Sequence, residues 1–445
     1  MDGNLLRKNT HPVYSGALLL TITGLFCRLL GFYYKIFLSR AIGAKELGLY
    51  QLAMPLLAVG IAFANSGIHT AISRFVAKSS SAKDGREKSY LAMGMCLSLA
   101  LSAVFCIPCL LFADSIAAGL FHEPSIKTLL YPLILCIPLE CIHGCINGYY
   151  YGLQKSKIPS IGQCIEQVVR IGSVMGIYYI TIHSGLPFTK FHAMLGLLLG
   201  EIAATFYYLN LLSLSQKQIR QKPSAQVNTT CKDLLSMACP LTATRLLLTV
   251  LHGIENIMIP LCLVRFGLTN TQSLSIYGIY SGMALPMIFF PTVLSNSIAV
   301  MLLPSISRAK EEGRNYYIRH SITVGFFLCM FLGFLCSFFF YFFSPLIGQK
   351  IFANEVAGIY IRTLSWLCPF LFLGTTMNSI LNGLGNVKDT FFNSMTGALI
   401  RLAFIFFGIP LYGFRAFLLG VLCSQVVSAF MAYLRLLSIT CKKNA

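Results

Sequence analysis

Apolar runs long enough to cross a bilayer, about 20 residues each, alternate with short polar connections along the whole chain. They fall near 15–38, 47–74, 89–112, 126–152, 160–182 and 191–213. After a polar stretch from Ser215 to Lys232, six more follow near 233–266, 274–304, 319–343, 357–383, 391–412 and 414–438. The pattern predicts an all-α polytopic membrane protein of twelve transmembrane helices, with an N-terminal six-helix lobe (1–213), a cytoplasmic linker (214–232) and a C-terminal six-helix lobe (233–445). Pro55, Pro138, Pro240, Pro286, Pro291 and Pro369 lie inside spans. Membranes tolerate such interruptions where the freed backbone groups face protein or water. Arg28 interrupts the first run and no small-residue cleavage pattern follows, so a retained first helix is expected rather than a signal peptide.

Composition agrees with this reading. Of 445 residues, 56% are hydrophobic and 11% charged, whereas a soluble domain carries about a quarter charged residues. A disordered chain or a disulfide scaffold is excluded on the same grounds. The net charge of +19 would suggest nucleic-acid binding in a soluble protein, but its placement gives another meaning. The N-terminus, the even-numbered connections and the C-terminus carry 21 Lys and Arg, and the odd-numbered connections carry seven. The positive-inside rule then places both termini in the cytoplasm, and no nucleic-acid partner is expected. The 16 cysteines fall mostly inside apolar runs, where free Cys serves as a small hydrophobe. Cys106-Ile-Pro-Cys109 has redox spacing but no neighbouring cation to form a thiolate. No Cys/His framework for a metal is visible and no cofactor is expected. Glu140-x-x-His143 is half of a di-iron motif without a second copy.

A shift of 231 residues brings the two halves into register. Pro55 meets Pro286, Phe121 meets Phe352, Pro138 meets Pro369, Asn147 meets Asn378, Gly152-Leu153 meets Gly383-Leu384, Lys157 meets Lys388, and Arg170 meets Arg401. Matches on Pro, Asn, Gly, Lys and Arg are not what a shared apolar bias would align. Six spans per half give both halves the same orientation. Transporters built from such parallel repeats commonly bind substrate between them.

Charges within spans are costly and default to functional candidates. The bases are Arg28, Lys35, Arg170, Arg245, Arg362 and Arg401, and the acids are Glu140, Glu166, Glu201 and Glu255. Gly24, Arg28, Gly31 and Lys35 share one face of the first helix. Thr242, Arg245, Thr249, His252 and Asn256 form a polar stripe on the seventh, and Asn65, His69 and Ser73 another on the second. The simplest arrangement turns all three into a shared central cavity. Arg28, Arg245, Arg401, Lys35, Asn65 and Asn256 are therefore candidate substrate-binding residues, and Glu255 is a candidate for ion or proton coupling. Glu166 and Arg170 can neutralise each other at i,i+4. Arg401 has Gly397 in place of that local partner.

The runs Ser15-Gly16-Ala17, Arg28-Leu29-Leu30-Gly31-Phe32, Ser39-Arg40-Ala41-Ile42-Gly43, Gly48-Leu49-Tyr50-Gln51 and Ala71-Ile72-Ser73-Arg74 resemble the opening of the polysaccharide transporter family, above all its stage V sporulation protein B-like members. Gly152-Leu153-Gln154-Lys155 with Ile158-Pro159, and Leu381-Asn382-Gly383-Leu384-Gly385, resemble its two mid-lobe turns. Lipid II flippases are more distant relatives, and multidrug and toxin extrusion exporters share the superfamily. The resemblance implies two six-helix lobes around a V-shaped cavity. It also implies outward flipping of an undecaprenyl-diphosphate-linked saccharide, a precursor of wall, spore cortex or surface polysaccharide, in the bacterial plasma membrane. Arg28 matches a cavity arginine of the lipid II flippases, and Arg245 is similar in location. The implied partners are the lipid-linked glycan, the bilayer and polysaccharide-synthesis enzymes, with the protein itself a monomer and not an enzyme. A cation-coupled multidrug exporter on the same fold is the alternative, although no Asp lies in the interior of a span. A membrane glycosyltransferase or polymerase is a third, but the connections offer no acid pair or metal site of the kind such enzymes need. No G-x-x-x-x-G-K-[ST] loop for ATP is present.

Overall fold

In the computed structural model, residues 11–82, 84–218 and 227–442 are described, so part of the expected linker at 214–232 lies outside the described residues. The first half of the chain forms α1 (His11–Ala41), α2 (Gly43–Ala64), α3 (Ser66–Ala82), α4 (Glu87–Leu111), α5 (Lys127–Gly152), α6 (Lys157–His183) and α7 (Lys190–Gln218). The second forms α8 (Val227–Arg265), α9 (Asn270–Gly278), α10 (Leu285–Phe289), α11 (Thr292–Glu311), α12 (Asn315–Leu346), α13 (Glu355–Leu364), α14 (Cys368–Gly383), α15 (Val387–Ala403) and α16 (Phe414–Lys442). Among the described residues there is no strand. Within these residues ten helices are long and apolar enough to span a membrane, and an eleventh span is the pair Asn270–Phe289 and Thr292–Glu311, bent by 54°. The twelfth is α6, whose 27 residues include Glu166, Arg170, Gln163 and Gln167 and are correspondingly less apolar. The fold is the expected all-α one of twelve transmembrane helices in two parallel repeats.

The repeat is written in the backbone. His122 and Ala353, 231 apart, both adopt positive φ (52° and 53°), as do Gln154 (59°) and Gly385 (80°). Left-handed backbone is uncommon for residues other than glycine, so its recurrence at one offset marks a shared turn geometry. In the first half α5 is the central helix, packed on α3, α4 and α7, and α6 packs on α7. In the second half α14 takes the same place against α11, α12 and α16, with α15 on α16.

Packing divides the chain into two compact units along other boundaries than the hydropathy lobes. The first comprises residues up to Tyr34 together with Leu52–Gly253; the second comprises Lys35–Gln51 and everything from Ile254. Thus α8 is shared between units at Gly253, and the end of α1 with the start of α2 belongs to the second. Two contacts hold that segment there. Arg40 donates from Nε to the Ile351 carbonyl at 2.8 Å and from Nη2 to the Lys350 carbonyl; a cation is favoured at such a helix C-terminus. Gly48 on α2 and Gly278 on α9 touch backbone to backbone: a Cβ on Gly48 would stand 2.2 Å from the Leu274 oxygen, and one on Gly278 2.1 Å from the Ala44 oxygen. Small residues permit this approach. Gly48→Val is expected to cost at least ~1–3 kcal/mol through overpacking, read as a lower thermal unfolding midpoint in detergent. An unchanged midpoint would contradict the contact.

The outer faces are apolar, as an acyl-chain solvent requires. On α12, Phe327, Phe331, Leu335, Phe338 and Phe342 form an exposed stripe. In the turn before α4, hydrogen bonds from the Ser79 hydroxyl and the Arg86 backbone N–H hold the Asp84 carboxyl below the usual carboxylate range.

Candidate functional site

The polar stripe on α3 begins where α2 ends, at Asn65. Its three members meet a ladder of glycines on α5. A Cβ at Gly144 would strike Asn65 Nδ2, one at Gly148 would lie 2.5 Å from the His69 oxygen, and one at Gly152 2.6 Å from the Ser73 oxygen. Asn65 is buried, and its Nδ2 donates to the Glu140 carbonyl at 3.4 Å. The stripe lies against α5, inside the first unit. Asn65 and His69 there line a cavity of about 410 Å³ with Glu140, His143, Asn147 and Glu166.

A second small-residue contact brings α6 against α7, where a Cβ on Gly200 would stand 2.9 Å from the Glu166 oxygen and 3.0 Å from Arg170 Cβ. The result is a buried ionic network drawn from α5, α6 and α7. His143 Nε2 lies 2.7 Å from Glu201 Oε2 and 3.2 Å from Glu140 Oε2. Arg170 Nη2 donates to Glu201 Oε1 at 3.3 Å and to Glu166 Oε1. Glu201 and His143 are buried, and the His143 ring stacks on Tyr208. The Glu166–Arg170 pairing agrees with the sequence reading. What the sequence did not show is that Glu201, visible only as an acid within a span, joins Glu140-x-x-His143 to that pair. Each half of the network is a visible i,i+3 or i,i+4 pattern; nothing local connects Glu201 to either.

Arg401 and Glu255 are the second buried pair, and lie in the second unit. Arg401 donates from Nε to both Glu255 oxygens, at 3.0 and 3.1 Å, with Nη2 3.0 Å from Oε1; Nη1 reaches Ser424 Oγ at 3.4 Å. Arg401, with Gly397 where a local partner would stand, takes its carboxylate from 146 residues away. Glu255 is held in an ion pair rather than standing open as a coupling site. Asn256 is half-buried and accepts from the Tyr277 hydroxyl at 3.1 Å.

Arg28 and Arg245 differ from these two. Arg28 is exposed on α1 and has no carboxylate partner among the described residues. Arg245 is exposed on α8, where Nη1 donates to the Ser66 carbonyl at 2.8 Å, and it too lacks a carboxylate among the described residues. Both belong to the first unit, although Arg245 sits on the leading helix of the second repeat. Lys35 is half-buried and begins the second unit. All cysteines described are free.

A family model described as "Polysaccharide biosynthesis protein" matches residues 13–310, about two thirds of the chain. The chain belongs to this family. A second model, MatE, matches residues 240–407. Stage V sporulation protein B of Bacillus subtilis (strain 168) is 25% identical over 401 residues, covering 88% of this chain and 76% of that one. Among solved structures, an inward-facing multidrug resistance MATE family transporter superimposes with TM-score 0.74 at 16% identity, covering 94% of this chain and 96% of the other. Lipid II flippase MurJ in an inward closed conformation gives TM-score 0.72 at 14% identity, covering 93% and 86%. The chain is thus a multi-pass membrane protein with the fold of these two solved structures.

Proposed function

We propose that this member of the polysaccharide biosynthesis family is a flippase. It moves an undecaprenyl-diphosphate-linked saccharide outward across the bacterial plasma membrane, with both termini cytoplasmic and polysaccharide-synthesis enzymes as working partners. The observation that carries this reading is a contrast among intramembrane arginines. Arg170 and Arg401 are neutralised by glutamates, whereas Arg28 and Arg245 are exposed and keep their charge for a ligand. A guanidinium in a span is costly, and an anionic substrate offsets that cost. Its planar fork donates paired hydrogen bonds to phosphate and stays charged throughout. Lys35 adds a further cation on the same helix as Arg28. The prenyl tail remains in lipid.

The membrane potential supplies the drive in this scheme. With the inside negative, moving two negative charges outward is favoured by ~2.3 kcal/mol per charge per 100 mV, and the emptied basic site is drawn back. The alternative, a cation-coupled multidrug exporter, is favoured by one observation, the glutamate-lined cavity in the first unit. Proteoliposomes carrying a labelled prenyl-diphosphate saccharide and an imposed inside-negative potassium diffusion potential test both. The expected result is movement of the label to the positive side faster than in protein-free liposomes, and faster still with the potential. Export of a cationic dye with no movement of the lipid would overturn the proposal in favour of the exporter.

A further inference from the structure

The network on α5, α6 and α7 has features that neutralisation of Arg170 does not explain. Three carboxylates, Glu140, Glu166 and Glu201, stand against one guanidinium, which pairs with Glu166 and Glu201, leaving an excess of two negative charges within a membrane-spanning unit when His143 is neutral. Buried charge of that size requires a counter-charge. Glu140, His143 and Glu201 each offer one ligand-type atom, and the three atoms lie within 4.8 Å of one another. The two separations from His143 Nε2, 2.7 and 3.2 Å, fit the spacing of about 3 Å between adjacent ligand atoms around an ion with bonds of ~2.1 Å. The guanidinium of Arg170 holds Oε1 of Glu201, which leaves Oε2 for the ion and fixes the carboxylate in orientation, as the outer partners of metal ligands do.

An independent observation comes from the other side of the imidazole. With the imidazole neutral, Nε2 carries the hydrogen between the two carboxylate oxygens and Nδ1 is a bare acceptor; it is buried with no partner among the described residues, in a side chain only 4% exposed. Four residues on, along the same helix, Asn147 Oδ1 is likewise buried without a donor. Two orphaned acceptors cannot satisfy each other. If Nε2 binds a metal, the hydrogen moves to Nδ1 and an acceptor one turn away becomes useful. The unmatched pair is what a metal-free form of such a site would leave.

We propose that Glu140, His143 and Glu201 form a binding site for a divalent first-row transition metal, with Arg170 and Asn147 as its outer partners. Two carboxylates and one imidazole suit Mn²⁺, Fe²⁺ or Zn²⁺, and the remaining coordination positions open to water in the 410 Å³ cavity that Glu140 and His143 line. His69 on α3 and Glu166 on α6 face the same cavity. The ion supplies the two positive charges that the network lacks. All of these residues belong to the first unit, and none of them is among the arginines assigned to the substrate, so the site stands apart from that assignment.

The test uses the full-length protein purified in detergent, stripped with chelator and titrated with Mn²⁺, a probe that free thiols hold poorly. Bound Mn²⁺ is counted by loss of the free-ion paramagnetic resonance signal, and folding is followed by thermal unfolding. One equivalent is expected to bind and to raise the unfolding midpoint. His143→Gln and Glu201→Gln are expected to weaken binding by more than 100-fold. Asn147→Leu, which removes a group that does not itself bind the ion, should weaken it by about 10-fold, in the range found for outer-shell partners. No binding by the folded wild-type protein would overturn the site and leave protons as the counter-charge. Binding that survives both His143→Gln and Asn147→Leu would place the ion elsewhere and overturn it equally.

Discussion

Arg28→Ala is expected to slow outward movement of the prenyl-diphosphate saccharide by about 10- to 100-fold in proteoliposomes, with little change in thermal stability. Hydrogen bonds to charged groups contribute ~1.5–3 kcal/mol, which is one to two powers of ten in rate if they are made on the way to the outward state. Arg28 is exposed and bears no carboxylate partner among the described residues, so its removal strands no buried opposite charge. Arg28→Lys should restore part of the rate. An ammonium keeps the charge but not the planar paired donors, so partial rescue separates the electrostatic share from the geometric one. Full activity of Arg28→Ala would remove Arg28 from the substrate path and leave Arg245 to carry the proposal alone.

Arg401→Leu is expected to produce a larger effect of another kind, a loss of stability of ~3–5 kcal/mol, the usual consequence of leaving one member of a buried pair uncompensated. Glu255 is buried and takes both of its oxygens to Arg401. The double variant Glu255→Gln with Arg401→Leu should recover most of the loss, because a neutral side chain no longer needs the guanidinium. Thermal unfolding in detergent measures all three proteins. If the double variant is as unstable as the single one, the arginine contributes through packing and not through charge. If the single variant is as stable as wild type but does not transport, Arg401 acts on the substrate despite its carboxylate partner.

These two arginines show where sequence reasoning stops. Both were visible as charges in apolar runs, which is a local property: an 18-residue window contains all that is needed to see that a cation there is costly. Sequence could not tell which of them was already neutralised, because the partner of Arg401 lies 146 residues away. The same holds in the first unit. Glu140-x-x-His143 and Glu166-x-x-x-Arg170 are helical spacings, legible without coordinates, yet Glu201 joins them only because small residues on α7 let α6 approach to backbone distance. The stripe Asn65, His69 and Ser73 was correctly placed on one helical face. That it meets the glycine ladder of α5 depended on Gly144, Gly148 and Gly152, whose contribution is an absence of side chain.

The chain by itself determined how many times it crosses the bilayer, that its halves repeat at an offset of 231 residues, and which positions carry charge inside apolar surroundings. Hydrocarbon imposes those features residue by residue, through the cost of exposing polar groups to it. Only the tertiary structure decided the rest: that α8 divides between two packed units, that Lys35–Gln51 belongs with the second, and that two of the four buried or candidate arginines named here are matched by glutamates. Those outcomes depend on close approach between segments distant in the chain, which is a property of shape and not of composition.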